Sequence, residues 1–325
     1  MNGKYKGTRD RDRKQTRPRS RRYGFAPTGR RAKHRRRVRI VWRRFLPIVG
    51  CVFLLVFGGV KLFDYLASSR QVKETEAELQ ALYEAQEAEP TAATPTPAST
   101  ATPTAAPTAT PAPQILPAYQ QTGAAIAPAM QELYGRNSDL VGWVKIPDVV
   151  SAPVVYRDNS YYLTHDFYGR ESAAGALFLD VNHPLAENTQ NLLIYGHNMH
   201  DGTMFGHFRR YQRTAYWQEN CLVRLSTLYT QETYVIFAVM TVSTDPASPQ
   251  YVNFAGHPTF RTVREFDAYM EEVRAHTLHP WKVDVNASDA LLTLSTCLDD
   301  ERVVLLARRL RDGESAEDIA ARIAA

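Results

Sequence analysis

The stretch "TLSTCLDDERVVLLARRL", from Thr293 to Leu310, contains two apolar runs separated by a short acidic turn. The first run ends at Cys297, and the second opens at Arg302. If residues 298–301 form a four-residue hairpin loop, Cys297 and Arg302 face each other on antiparallel strands. Ser295, two residues before the cysteine, then points to the same face. The pattern therefore predicts a β-hairpin that presents a thiol beside a guanidinium.

Six further runs of β-branched and apolar residues precede this hairpin, which gives eight strand candidates in all. They are LVGWVKIP, APVVYR, AGALFLD, NLLIYGHN, CLVRLSTLY and TYVIFAVMTV. The short segment APAMQELYGRN predicts a helix before the first strand. Many short strands interrupted by few helices predict a mostly-β fold, either a barrel or a sandwich.

One long helix is predicted between the sixth and seventh strand candidates, in TFRTVREFDAYMEEVRAHT. Thr262 and Glu265 have the spacing of a capping box at its start. Its apolar residues follow a helical stripe. That stripe consists of Phe260, Val263, Phe266, Met270 and Val273.

The N-terminal end is basic and is followed by an uncharged apolar run. Residues 1–44 contain 19 Lys or Arg and two Asp, whereas the whole chain has a net charge of only +5. Residues 45–66 would form a helix of about 33 Å, which matches a bilayer core of about 30 Å. Because basic residues stay on the cytoplasmic side, we expect a cytoplasmic tail at 1–44 and a single transmembrane anchor at 45–66, with everything after it outside the cell. A cleaved signal peptide is the alternative.

A stalk is predicted over residues 67–125. Residues 68–89 are charged and rich in helix formers, which predicts a solvated helix. Seven Pro between residues 90 and 113, among Thr and Ala, prevent a helix there and predict a semi-rigid extended spacer. The globular domain follows at 126–312, and the C-terminal tail at 313–325 has the pattern of a short amphipathic helix.

Cys297 is the candidate nucleophile among three cysteines. Cys51 lies in the predicted anchor, and Cys221 opens an apolar run, where burial would leave it inert. A nucleophilic thiol needs a base or cation that lowers its pKa and a donor for the developing oxyanion. Arg302 suits the second task, although an ion pair with the acidic turn is an equal alternative. An extracellular location favours disulfides, so a Cys221–Cys297 bridge remains another alternative.

His197 is the candidate base. It follows a buried-looking strand and a glycine in NLLIYGHNMHDGTMF. A strand end holds a side chain exposed on a rigid scaffold, which is where catalytic groups are found. The remaining histidines lie in the basic tail, before prolines, near the end of the long helix or in contexts that single none of them out. They are His34, His165, His183, His200, His207, His257, His276 and His279.

Taken together, these residues resemble the sortases, specifically class B. The likeness rests on IYGHN around His197, LSTC ending at Cys297, the arginine that opens the next strand, DLVGWVKIPDVVSAPVVYRDNSYYLTHDFYG (139–169) and AGALFLD (174–180). The long helix before ALLTLSTC fits the helix that class B enzymes insert between their sixth and seventh strands. The likeness covers residues 137–310 and implies an eight-stranded sortase-type β-barrel with an inserted helix and an N-terminal helix.

The resemblance implies a cysteine transpeptidase that cleaves a C-terminal sorting signal of a secreted protein, NPQTN-like in class B, after its threonine. Cys297 would form the thioacyl-enzyme, His197 would act as general acid and base, and Arg302 would steady the substrate and the oxyanion. An amine, commonly from a peptidoglycan precursor, would resolve the intermediate. No metal or organic cofactor and no nucleic acid partner is implied. The positions that would line the signal-peptide groove are Asn159, Leu163, Tyr195 and Ser295.

Several alternatives remain open at this point. A pilin-polymerising sortase would use a pilin lysine as the amine, but the Asp245–Pro246 pair lies late in the domain and gives no sign of the N-terminal lid of those enzymes. In NlpC-type hydrolases the cysteine precedes the histidine, unlike here. A stalked, non-catalytic surface binding domain would also explain the anchor, spacer and β-domain. The turn of four residues is shorter than is usual in class B, which leaves the signal preference open.

Overall fold

The protein is described by a computed structural model over residues 42–87, 125–185, 189–297 and 301–325. The predicted basic tail up to residue 41, the Pro-rich spacer at 88–124 and the turn at 298–300 lie outside the described residues. The chain divides into two compact units, one up to Val56 and one from Phe57 to Ala325.

Eight strands form a closed barrel, as the resemblance implies. They are β1 (Leu140–Ile146), β2 (Val150–Val155), β3 (Leu177–Leu179), β4 (Asn191–His197), β5 (Leu222–Thr227), β6 (Gln231–Ser243), β7 (Leu291–Cys297) and β8 (Glu301–Arg309). Their order around the barrel is β1-β2-β3-β4-β7-β8-β6-β5. Two pairs, β2 with β3 and β4 with β7, are parallel, and the other pairs are antiparallel. β8 begins at Glu301, one residue before Arg302, where the second strand of the hairpin is predicted to begin.

The described residues also form α-helices. They are α1 (Trp42–Glu87), α2 (Pro128–Arg136), α3 (Thr214–Glu219), α4 (Val263–His276) and α5 (Ala316–Ala324). Short 3-10 turns lie at Tyr161–Leu163, Phe208–Gln212 and Phe254–Gly256. The predicted short helix in the C-terminal tail is confirmed as α5, whose Ile319 and Ile323 are buried.

The inserted helix α4 is confirmed, with one correction to its apolar stripe. The Oγ1 of Thr262 accepts a hydrogen bond from the Glu265 N–H at 3.2 Å, as the predicted capping box requires. The Glu265 carboxylate reaches back to the N–H of Arg261, one residue before the expected partner. Phe266 is buried, but Val263 is 63% exposed, because it begins the first turn and points away from the barrel. The prediction of a buried Val263 is therefore wrong.

The second half of α1 is a helix, as predicted, but it packs on the barrel, so the prediction that it is solvated is wrong for its apolar face. Leu79 and Tyr83 are 2% and 1% exposed. The ring of Tyr83 stacks on Trp143 of β1 with centroids 4.4 Å apart, and its hydroxyl lies 2.9 Å from the Ser226 Oγ of β5. The helix therefore covers the outer face of strands β1 and β5.

The first half of α1 exposes a series of large apolar side chains, among them Val52, Phe53, Leu54 and Leu55. Among the described residues, none of the helices combines the length and the apolarity that crossing a bilayer requires.

Candidate functional site

Strands β4 and β7 bring His197 and Cys297 to neighbouring positions. The two strands are parallel and pair without interruption from Asn191 with Leu291 to His197 with Cys297. Both end at this last pair. Because adjacent strands lie about 4.8 Å apart, the two backbone positions are direct neighbours at one rim of the barrel. The structure thus joins the two residues that the sequence marks as candidate base and candidate nucleophile.

The His197 imidazole is held by a backbone carbonyl. Its Nε2 lies 2.7 Å from the carbonyl oxygen of Leu163, at the end of the 3-10 turn Tyr161–Leu163. A carbonyl oxygen only accepts, so Nε2 carries the hydrogen of this bond. In the neutral ring, Nδ1 is then the nitrogen that accepts a proton. The backbone oxygen of His197 also accepts from the Phe205 N–H at 2.9 Å, which fixes the end of β4.

Arg302 lies opposite Cys297 in the register of the β7–β8 hairpin. Ser295 of β7 pairs with Val304 of β8, and the same register continued by two residues places Cys297 opposite Arg302. The Arg302 Nη1 donates to the Thr296 carbonyl at 3.3 Å. Its guanidinium carbon lies 5.8 Å from the ring centroid of Tyr195, within cation–π range. Asp299 and Asp300, two of the three residues that the alternative ion pair would use, lie outside the described residues, and the third, Glu301, is exposed at the start of β8.

The four predicted groove residues lie in different environments. The Nδ2 of Asn159 donates to Asp180 and its Oδ1 accepts from the Val181 N–H, both at 3.0 Å, so its side chain ties two loop segments together. Leu163 and Tyr195 are half-buried, and the Tyr195 ring lies 5.4 Å from that of Phe178. Ser295 is fully buried.

The Oγ of Ser295 donates to the Thr296 carbonyl at 3.3 Å. Tyr195 and Ser295 are register partners two residues before His197 and Cys297, so the four positions share one face of β4 and β7.

Cys221 has the environment of an inert thiol. It is a free cysteine, 2% exposed, just before β5. Burial raises the pKa of its thiol, which disfavours the thiolate needed for nucleophilic attack. Because Cys221 is not disulfide-bonded, the structure does not contain the alternative bridge to Cys297.

Two further histidines are buried structural groups. The ring nitrogens of His183 lie 2.6 Å and 3.0 Å from the carbonyl oxygens of Asn191 and Ala255. The Nε2 of His279 lies 2.6 Å from the Tyr211 carbonyl, and its ring stacks on Trp217. The His183 ring joins the start of β4 to the 3-10 turn Phe254–Gly256, and the His279 ring contacts the 3-10 turn Phe208–Gln212 and α3.

Sequence reasoning missed two contributions to this site. The first is the Leu163 carbonyl, because a backbone oxygen leaves no residue-type signal. The second is a set of polar residues on α1, Ser69, Lys73 and Glu76, which contact the loop that follows His197. Their spacing of four and three residues along a helix was the available signal, but the sequence does not show what that face contacts.

Comparison with known proteins finds similarity to sortases. The Sortase domain family model matches residues 144–310. Sortase B of Listeria monocytogenes is 31% identical over 170 residues, which are 52% of this chain and 66% of that protein. Sortase B of Staphylococcus aureus is 24% identical over 193 residues, which are 57% of this chain and 76% of that protein. About a third of the Listeria protein is therefore not matched.

A solved complex of Staphylococcus aureus sortase B with substrate has the same fold. It superposes with a TM-score of 0.59 at 19% identity, covering 76% of this chain and all of that chain.

Proposed function

We propose that this chain, which belongs to the sortase family and to its class B group, is a cysteine transpeptidase. It cleaves an NPQTN-like C-terminal sorting signal after its threonine and transfers the cut protein to an amine. The observation that carries the proposal is the register pair of His197 and Cys297 at the rim where β4 and β7 end. A general base and a nucleophile must lie within reach of each other, and this pairing supports that requirement.

The first half of the reaction forms a thioacyl-enzyme. The Cys297 thiolate attacks the carbonyl carbon of the threonine, and Arg302 stabilises the oxyanion that develops. The peptide C–N bond breaks, the leaving amine takes a proton from His197, and a thioester bond remains. Because Nε2 is bonded to the Leu163 carbonyl, we assign this proton to Nδ1.

The second half transfers the acyl group. An incoming amine gives its proton to His197 and attacks the thioester carbon, and Cys297 leaves as thiolate. We propose that this amine comes from a peptidoglycan precursor, and that Asn159, Leu163, Tyr195 and Ser295 line the groove for the sorting signal. Asn159 would shape the groove through its hydrogen bond to Asp180, and Ser295 through its hydrogen bond to the Thr296 carbonyl.

The reaction is tested by intact mass spectrometry of the full chain in detergent, incubated with NPQTN- and LPxTG-type peptides. We expect a covalent adduct with the mass of the acyl fragment in the wild type and none in Cys297→Ala. Absence of an adduct with every peptide would contradict the transpeptidase and favour a stalked binding domain. Transfer to a peptidoglycan stem peptide, compared with transfer to a peptide with an internal lysine, separates a wall-anchoring enzyme from a pilin-polymerising one.

We also propose that residues 45–66 anchor the protein in the cell membrane, with the basic tail 1–44 in the cytoplasm and the stalk 67–125 and catalytic domain 126–312 outside. The support is the uncharged run from Phe45 to Val60 behind a basic segment, together with the exposed apolar side chains of the first half of α1. Protease added to intact cells should remove the catalytic domain and leave an N-terminal epitope tag protected. Digestion of the tag, or protection of the catalytic domain, would contradict this topology.

A further inference from the structure

The loop that follows His197, residues 198–206, has an unusual backbone. Asn198 and Met204 form an isolated antiparallel bridge, so the loop folds back to the end of β4. Met204 has a φ of +52°, in the left-handed region that a methionine rarely adopts. The next residue, Phe205, donates its N–H to the His197 carbonyl. A strained residue is thus one peptide away from the bond that fixes His197, and contacts outside the loop must stabilise it.

Those contacts come from α1. The Ser69 Oγ donates to the Asp201 Oδ2 at 2.6 Å, and the Lys73 Nζ lies 3.9 Å from the same oxygen. The Met204 N–H donates to the Glu76 Oε1 at 3.2 Å. Ser69, Lys73 and Glu76 follow one another at spacings of four and three residues, so they lie on one face of the helix. One face of α1 therefore contacts the loop at two separate points.

The neighbouring face of α1 fixes where these polar groups lie. Leu79 and Tyr83 are buried against the barrel, and the Tyr83 ring stacks nearly parallel on Trp143. Glu76 itself is half-buried and lines the same cavity as Leu79 and Met204. Withdrawing an acidic side chain from water is costly without a hydrogen-bond donor, and the N–H of the strained Met204 donates to it. This hydrogen bond joins one carboxylate oxygen to one backbone N–H, so it fixes the position of the loop more closely than a surface salt bridge would.

We infer that α1 is a positioning element of the active site, in which Glu76, assisted by Ser69, holds the loop 198–206 so that the end of β4 keeps His197 in its reactive position. The inference rests on the proposed function, because it assigns these residues a role in the transpeptidation. Glu76 and Ser69 do not touch the reacting atoms. They act through the backbone of Met204 and Asp201 and are therefore positioning residues.

The experiment compares variants of the full chain in detergent or nanodiscs. Glu76→Ala removes the acceptor for the Met204 N–H, whereas Glu76→Gln retains a side-chain oxygen that accepts it. Glu74→Ala is the matched control, because Glu74 is exposed on the same helix, two residues away. The measurements are kcat and KM for peptide cleavage, and hydrogen exchange of the amides in residues 198–206.

For Glu76→Ala we expect kcat to fall by about tenfold or more with KM little changed, because a small displacement of a catalytic group affects the chemical step. Exchange in the loop should rise. Glu76→Gln should recover most of both losses, and Glu74→Ala should resemble the wild type. A merely structural role would not produce rescue by glutamine together with a selective loss of kcat.

Wild-type kcat and unchanged loop exchange in Glu76→Ala would overturn the inference, as would equal losses in the alanine and glutamine variants. If Glu76→Ala does not fold, Ser69→Ala replaces it, since it removes a single hydrogen bond to Asp201; the expected effect is smaller and in the same direction. If the wild type cleaves no peptide, the proposed function has failed, and hydrogen exchange still decides whether α1 holds the loop.

Discussion

The Nε2 of His197 lies 2.7 Å from the carbonyl oxygen of Leu163. This bond joins the rim of the barrel to the 3-10 turn Tyr161–Leu163, which is 34 residues earlier in the chain. It selects the tautomer with hydrogen on Nε2 and orients the ring, as a carboxylate does in the Ser-His-Asp triad. A carbonyl oxygen is neutral, so it orients the imidazole with less electrostatic stabilisation of the protonated form. Displacement of this oxygen should therefore impair catalysis without any change to the three proposed catalytic residues.

Gly175→Ala tests that relationship. Gly175 has a φ of +58°, and a Cβ added there would lie 2.3 Å from the Tyr162 carbonyl oxygen and 3.0 Å from that of Leu163. The new methyl group must therefore displace the Tyr162–Leu163 backbone, which carries the carbonyl oxygen bonded to His197. We expect kcat for peptide cleavage to fall by about tenfold or more. The left-handed backbone should also lower the free energy of unfolding by about 1–2 kcal/mol.

Gly135→Ala is the control, because a Cβ there meets no atom within 4 Å. This substitution in α2 should leave cleavage unchanged and raise the unfolding free energy slightly. Equal kcat values for Gly175→Ala and the wild type, measured with a saturating peptide, would show that the Leu163 carbonyl does not orient the catalytic base.

Arg302 should not be replaceable by lysine. Its guanidinium donates to the Thr296 carbonyl while lying against the Tyr195 ring, and a lysine ammonium cannot reproduce this planar arrangement. Arg302→Ala should reduce kcat by about 10²–10³-fold, the effect of losing one oxyanion donor. Arg302→Lys should recover only part of this loss, as measured by cleavage kinetics.

Arg309 at the other end of β8 supplies the control. It is half-exposed and pairs with Glu232 at 3.5 Å on the surface. Arg309→Lys should leave both kcat and stability nearly unchanged, since exposed pairs contribute about 0–1 kcal/mol. Full activity in Arg302→Lys would mean that charge alone is needed at this position, and would contradict the proposed role of the guanidinium.

The strands were predictable because each carries its own signal, whereas their closure into a barrel rather than a sandwich came only from the resemblance to sortases. In β7, Leu292 and Leu294 alternate with Thr293 and Ser295, and every strand of the barrel shows a comparable run of β-branched or apolar residues. The helix α4 was predicted because Thr262 caps it and its apolar residues repeat at helical spacing. Val263 was predicted wrongly because periodicity alone does not show where the first turn leaves the core.

Docking of α1 was not predictable from local pattern. Residues 68–87 are charged, and the apolar positions that pack on the domain are few, namely Val72, Leu79, Leu82 and Tyr83, with a spacing of seven residues between the first two. Their partner, Trp143, lies 60 residues beyond Tyr83, across the predicted spacer. Contacts of this kind depend on tertiary structure, and a short amphipathic face among many charges reads equally well as a solvated helix.

The burial of Glu76 predicts a specific pH dependence of stability. Burial raises the pKa of this carboxyl from 4.5 to about 7, against the opposing effects of the Met204 N–H and Lys73. Asp201 also raises it, and Asp166 and Glu171 line the same cavity.

Because the folded state holds the proton more tightly, the stability that this group contributes is complete below about pH 4.5 and is lost as the pH rises through about 7. Between pH 5 and pH 8, the Tm of the wild type should therefore fall relative to the Tm of Glu76→Gln. Glu74→Gln, on the exposed side of α1, should show no such trend relative to wild type. A Tm difference for Glu76→Gln that is independent of pH would mean that Glu76 titrates normally in the folded protein.

Tyr83 should be the residue on which docking of α1 depends most. Its ring is 1% exposed and stacks on Trp143 with an angle of 4° between the planes. Tyr83→Ala should lower the free energy of unfolding in urea by about 3–5 kcal/mol, the usual loss for a buried aromatic side chain. Tyr83→Phe keeps the stacking and loses only the hydrogen bond to Ser226, so a loss of about 1 kcal/mol is expected.

Ala85→Gln, at an exposed position two residues further along the helix, should change stability by less than about 0.5 kcal/mol. If Tyr83→Ala is as stable as the wild type, the second half of α1 is not docked in solution. Glu76 would then not accept the hydrogen bond from the Met204 N–H, and the inferred positioning role of α1 would be wrong. If the ranking of alanine, phenylalanine and wild type is as expected, a parallel loss of kcat in Tyr83→Ala would connect docking of the helix to the position of His197.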